Sequence, residues 1–239
     1  MLFRSADALY YRRETVSGMV RQYQFHWRQW DSLINNWQDS YQHGFWNSPI
    51  DIPFVADHDN DGFDSQFVFR PKTGEWFQYP GRVLEGPTLP KEKSPLPVIG
   101  RFLPGSLGDL AVWSPISGEF KVQSISDGKT ASIDWGGRPG DILLPGDYDG
   151  DGNDELGLWQ PHSNIWWVKV MPAGPDLQFT FGSPTGIPLP FDYNNDGRLD
   201  LAYWEPNEQK IYVSFDFGQS IGKTVEVPPH SIPIFVHMY

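Results

Sequence analysis

The chain has no cysteine at all. That excludes a disulfide framework and a thiolate metal site, and it leaves the redox compartment unread. Basic charge is also scarce: 18 Lys and Arg stand against 30 Asp and Glu, a formal net charge of -12. Such a balance argues against nucleic acid or an anionic membrane as the main partner, and it suits cations. No apolar run approaches the about eighteen residues of a membrane-spanning helix, so no membrane insertion is expected. The start, "MLFRSADALYYRR", lacks the apolar core of a signal peptide. Its first five residues are what GTG-CTC-TTC-CGA-TCT encodes, the end of a common sequencing adapter read from an alternative start codon. Residues 1–5 are therefore candidates for an assembly scar, and the missing signal peptide says little about localisation. The 6 histidines show no zinc-type spacing, with His58 expected to face solvent. No Gly-x-Ser-x-Gly elbow, Walker loop or dinucleotide fingerprint is found.

What is abundant points to β structure. The 22 Pro and 24 Gly interrupt helices often, and aromatics at 15% are enough to line many short strands. A repeat organises them. "PFVADHDNDGFDSQFVFRPKTGEW", "GRFLPGSLGDLAVWSPISGEF", "LPGDYDGDGNDELGLWQP" and "PLPFDYNNDGRLDLAYWEPNEQKIY" each give a loop, a short strand ending in an aromatic, one residue, then Pro. Pro71, Pro115, Pro161 and Pro206 recur at about 45 residues, within the range of repeat architectures. A weaker copy, "DALYYRRETVSG", puts Tyr11 in the aromatic place.

Each unit reads as four short strands, the pattern of a β-propeller blade. The reading is all-β: one propeller domain over 1–239, with five four-stranded blades and an insertion at 27–39. The C-terminal "SIPIFVHMY" matches the first strand of a unit, so it is expected to pair with the N-terminal blade and close the ring, which hides edge strands. A linear solenoid, a sandwich of hairpins and a fragment of a longer array are the competing accounts.

In "DYDGDGNDE" the alternating Asp147, Asp149 and Asp151 can aim three carboxylates at one centre, with the Asn153 carbonyl and Glu155 closing the cage. An oxygen-only set with several acids suits Ca²⁺ far better than Zn²⁺ or Cu²⁺. Asp192, Asn194, Asp196, the Arg198 carbonyl and Asp200 repeat it. Asp57, Asp59, Asp61 and the Phe63 carbonyl form a third loop, the weakest, because Ser65 stands at its closing position. Three Ca²⁺ sites are expected. An EF-hand is excluded, since position twelve is Val68, Leu158 or Tyr203, each within a strand. Metal-free Asx-rich hairpin turns are the plainer alternative. The loop from Arg101 to Asp109, with Arg101, Leu103 and Gly105 where acids belong, is expected to hold no metal.

"GDYDGDGNDELGLWQP" and "FDYNNDGRLDLAYWEP" resemble the VCBS/FG-GAP repeat family, the calcium-binding propeller blades of bacterial surface proteins and integrin α subunits. The resemblance covers nearly the whole chain. It implies Ca²⁺ dependence, an extracellular or cell-surface location, and adhesion or binding of a glycan or protein ligand. It implies no activity, because one fold hosts many functions.

Trp113, Trp159 and Trp204 share one repeat position, and Trp76, Phe120, Trp166 and Tyr212 the next; repeated aromatics read as inter-blade core. Trp27, Trp30 and Trp37 fall outside the pattern, at a spacing that allows one helical face. They make either a short helix packed on the ring or an exposed platform for a ligand. No catalytic residue can be picked out, because the acids cluster in the loops. Two classes remain: a binding module, and a polysaccharide lyase or glycoside hydrolase or its accessory domain. Oligomeric state is not legible.

Overall fold

The computed structural model describes residues 8–16, 19–31, 36–42, 51–56, 58–59, 65–78, 82–90, 94–136, 138, 140–171 and 174–228, with the first three segments described as backbone alone. All regular structure in them is β; no helix occurs among the described residues. Four four-stranded antiparallel sheets follow one another along the chain in a β-propeller arrangement.

An N-terminal sheet comes first, formed by β1 (Ala8–Val16), β2 (Met19–Asp31) and β3 (Asn36–Gln42). The first blade contains β4 (Ile52–Ala56), β5 (Ser65–Arg70), β6 (Glu75–Gln78) and β7 (Arg82–Leu84). The second contains β8 (Leu96–Gly100), β9 (Asp109–Trp113), β10 (Glu119–Ser124) and β11 (Thr130–Asp134). The third contains β12 (Ile142–Leu143), β13 (Leu156–Gln160), β14 (Ile165–Lys169) and β15 (Asp176–Thr180). The fourth contains β16 (Ile187–Pro188), β17 (Leu201–Glu205), β18 (Lys210–Ser214) and β19 (Lys223–Glu226).

Five four-stranded blades are not supported: the described residues form four. The N-terminal sheet has three strands, in the order β1-β2-β3. The segment expected to complete it, 231–237, lies outside the described residues. The insertion at 27–39 is not helical either. It is the end of β2, a turn and the start of β3, with Trp30 paired to Trp37 and Trp27 to Ser40.

The repeated prolines acquire a physical role in the turn between the second and third strands of each blade. Each opens that turn, where its fixed φ suits the first position. Three residues later the backbone enters the left-handed region, at Gly74 (φ 75), Gly118 (φ 74), Asn164 (φ 55) and Gln209 (φ 54). Glycine and asparagine tolerate that conformation; Gln209 bears its strain.

Core clusters lie between blades. Phe67, Phe69 and Trp76 of the first pack with Leu110 and Val112 of the second. From the same strand β9, Ala111 and Trp113 face the other way, onto Leu156 and Leu158 of the third blade. Trp159, Trp166 and Val168 then meet Leu201 of the fourth. Both faces of an inner strand are therefore covered, which is why every residue of β9 is buried instead of every second one. Trp113, Trp159, Trp166 and Trp76 are all at 1% exposure or less, inside this core.

Candidate functional site

The acidic loops connect the first and second strands of a blade. In the third blade the Gly146–Glu155 bridge fastens the base of the loop, and in the fourth the Phe191–Asp200 bridge does the same. Between these fasteners the side chains organise the backbone. Asp147 accepts the N–H groups of Gly150 (2.5 Å) and Gly152 (2.9 Å), one on each carboxylate oxygen. Asp149 accepts from Asp151 N–H at 3.0 Å, and Asp151 from Asn153 N–H at 2.7 Å. Asp149 and Asp151 thus each close an Asx turn around the amide two residues on, while Asp147 gathers the amides three and five residues on, curling the loop about the carboxylates. As a result Asp147, Asp149 and Asp151 each place one oxygen within 4.8 Å of the others.

The fourth blade reproduces this pattern. Asp192 accepts from Asp196 N–H (3.1 Å) and Gly197 N–H (2.9 Å). Asn194 Oδ1 accepts from Asp196 N–H at 2.8 Å, and Asp196 Oδ1 from Arg198 N–H at 3.0 Å. Asn194 Nδ2 donates to Asp196 Oδ2 at 3.0 Å; in the third blade, with Asp149 at that position, it is Asn153 Nδ2 that donates to Asp151 Oδ1, at 2.9 Å.

The residues expected at the closing position, Glu155 and Asp200, sit beneath their loops. Glu155 Oε2 accepts the N–H of Tyr148 (2.8 Å) and of Asp149 (3.3 Å), and Asp200 Oδ2 the N–H of Tyr193 (2.9 Å). Asp109 does the same where the other acids are missing, accepting from Phe102 N–H (2.7 Å) and Leu103 N–H (2.8 Å). A carboxylate here is a strut that satisfies loop amides, whatever else the loop does. Burial raises the Glu155 carboxyl to about 7 and the Asp200 carboxyl to about 6, against the pull of those amides. Asp147 is pushed up by burial first and by Asp149 and Asp151 after it.

In the first loop Asp57, Asp61 and Phe63 lie outside the described residues. Ser65 accepts a hydrogen bond from Gln78 Nε2 at 3.3 Å, and Asp59 is exposed. His58 is not solvent-facing. It is buried, edge-on to Phe67, with Nε2 3.1 Å from the Gln78 amide nitrogen. It occupies the place that Phe102, Tyr148 and Tyr193 take in the other loops, so position in the repeat overrides polarity. Of the aromatic ligand candidates, Trp27 and Trp30 are in β2 and Trp37 in β3, where the backbone alone is described.

Asp154 was not singled out by the repeat, because Leu199 replaces it in the next copy. Its N–H donates to the Arg101 carbonyl (2.8 Å) while its Oδ2 accepts the Arg101 N–H (2.8 Å), tying one loop to the preceding one. Leu199 N–H makes the equivalent bond to the Asp147 carbonyl at 2.7 Å. Burial raises the Asp154 carboxyl to about 6, with the Arg101 amide and charge opposing it.

What the arrangement supplies chemically is a pair of preformed, oxygen-lined turns. Asp147, Asp149 and Asp151 converge closely enough that they could hold a metal ion, and their hard oxygen donors suit Ca²⁺; Asp192, Asn194 and Asp196 share the hydrogen-bonded form of that turn.

No family model matches the chain, and no curated protein matches it by sequence. Its fold is that of a solved lectin propeller. The structure, of specific recognition of non-reducing terminal N-acetylglucosamine by an Agrocybe aegerita lectin, aligns with a TM-score of 0.60 at 13% identity. The alignment covers 92% of this chain and 65% of the lectin. BBS1N in complex with ARL6DN aligns at a TM-score of 0.42 and 10% identity, over 86% of this chain and 65% of that one; so low a score shows nothing further. The chain thus spans 65% of the length of each of these two chains. Among the described residues no helix is long and apolar enough to cross a membrane.

Proposed function

We infer that the protein is a calcium-stabilised β-propeller that binds a glycan, acting outside the cell or on its surface as the VCBS/FG-GAP resemblance implies. The observation that carries the metal half is the convergence of Asp147, Asp149 and Asp151 within 4.8 Å, in a hydrogen-bonded turn that the Asp192 loop repeats. Such crowding is costly for bare carboxylates and favourable around a cation. The glycan half is supported by the lectin fold, with non-reducing terminal N-acetylglucosamine the first ligand to try.

Calorimetric titration should show Ca²⁺ binding with Kd on the order of 10⁻⁴ to 10⁻³ M, the range of extracellular modules. No heat and no bound metal at millimolar Ca²⁺ would falsify the metal half. Retention on immobilised glycans, with and without chelator, tests the other half. The same screen, followed for new reducing or unsaturated ends, separates a binding module from a polysaccharide lyase or hydrolase. A protein ligand is the reading left if glycans are neither held nor cut.

A further inference from the structure

Resting on the glycan reading, a second site can be located at the opposite end of strand β13 from its acidic loop. A cavity of about 190 Å³ opens between the second and third blades, lined by Trp135, Gly136 and Arg138 from one side and Leu158, Gln160, Trp167 and Asp176 from the other. It is smaller than the roughly 300 Å³ at which sites for drug-sized ligands begin, so it admits about one small ring. We propose that this cleft binds a single neutral pyranose residue of a glycan, its apolar ring face against the tryptophans and its hydroxyls on Arg138 and Asp176.

The tryptophans are held in place. Trp167 Nε1 donates to Gln160 Oε1 (3.2 Å), Gln160 Nε2 donates to Asp141 Oδ1 (3.2 Å), and Asp141 Oδ2 accepts the Arg138 N–H (3.0 Å). This chain of bonds fixes the Trp167 ring and anchors the Arg138 loop to the third blade at once. Trp135 is pinned through its carbonyl, which accepts Trp113 Nε1–H at 3.2 Å. Both rings are only partly buried, so each keeps surface available to a ligand. Gly136 keeps the cleft floor low: a Cβ there would sit 2.2 Å from Leu158 Cδ1, at a φ of +74.

Equivalent positions in the neighbouring clefts are already filled. Leu158 pairs with Trp167 across β13 and β14; the matching pair in the fourth blade is Tyr203 with Tyr212, whose rings stack on each other. In the second blade the pair is Val112 with Lys121, and the lysine reaches Thr88 O and Glu119. The polar rim of the open cleft is also suited to hydroxyls. Arg138 offers a fork of donors, and Asp176 is an acceptor already neutralised by Lys169 at 3.0 Å. Planar polar groups beside aromatic faces match a pyranose, which has one apolar face and a hydroxylated edge; a purely apolar ligand would leave that rim unpaired.

The experiment uses the full chain and methyl glycosides of N-acetylglucosamine, glucose, galactose and mannose, followed by tryptophan fluorescence and calorimetry. Trp167→Ala and Arg138→Ala are compared with the parent, and Trp167→Phe keeps a ring without the Nε1–H. Melting temperatures establish that each variant is folded. The expected result is saturable binding by the parent, about tenfold weaker in Arg138→Ala and more strongly reduced in Trp167→Ala, with Trp167→Phe between. Should the parent bind a glycoside while folded Arg138→Ala and Trp167→Ala keep its affinity, the cleft is the wrong place and the glycan reading survives. A parent that binds none of these glycosides and no immobilised glycan overturns both.

Discussion

Asp109 and Asp149 carry the same group and serve opposite ends. Asp109 is completely buried and holds two loop amides in a turn with no other acids. Asp149 is exposed and faces two further carboxylates. Their substitution by alanine should therefore differ in kind. Asp109→Ala strands two buried N–H groups, at a cost of about 1–3 kcal/mol each, and the loss should be the same with Ca²⁺ or with chelator. Asp149→Ala should remove the stabilisation that Ca²⁺ provides by mass action, about 1.4 kcal/mol when the ion is at ten times its Kd. Under chelator it should be neutral or slightly stabilising, because its charge opposes ionisation of Asp147 and Glu155. Asp196→Ala should cost less Ca²⁺-dependent stability, and Asp59→Ala the least. Melting curves of the four variants in both conditions decide this; equal losses in both for Asp149→Ala would make that acid a turn former only.

At the scale of the element, the hairpin across each acidic loop and the Pro-initiated turn that follows were both legible, because their chemistry is local. Gly118 illustrates the turn: its φ is 74, and a Cβ would meet the Gly136 carbonyl oxygen at 2.5 Å. Gly118→Ala should lower stability by at least the about 1–2 kcal/mol of a left-handed residue, measured by denaturant titration. The misread element was the tryptophan-rich insertion. The spacing of Trp27, Trp30 and Trp37, three and seven, allows one helical face, and nothing local reveals that "YQFHWRQW" has a partner strand beginning at Asn36. "DILLPGDY" looks like one strand, yet Pro145 has no N–H to give and β12 ends at Leu143. The acidic loops could be found from the sequence because their carboxylates are neighbours in the chain. The cleft between Trp135 and Trp167 could not, since its walls come from two blades and its tryptophans look like two more core aromatics.

For the whole molecule, the buried carboxyls set a pH dependence of definite sign. Glu155 is raised to about 7, and Asp154 and Asp200 to about 6, by burial. Between the ordinary carboxyl range and those values the folded chain holds more protons than the unfolded one. Stability without metal should accordingly rise as pH falls from about 8 to about 5, and be lost as pH rises through 6 to 7. Ca²⁺ needs the deprotonated loops, so its contribution should grow over the same rise in pH and flatten or reverse the slope. Melting temperature against pH, in chelator and in Ca²⁺, displays both curves; a flat chelator curve would mean these carboxyls titrate normally. The bond from Leu199 N–H to the Asp147 carbonyl carries a last consequence. It joins the backbone of one acidic turn to the residue before the strut of the next, so the two cannot stiffen independently. An ion that orders the first turn has already met part of the entropy of ordering the second, and the favour is returned by the same factor. Calcium uptake should then be steeper than two separate sites allow, and Asp149→Ala should weaken binding in a loop that it never touches.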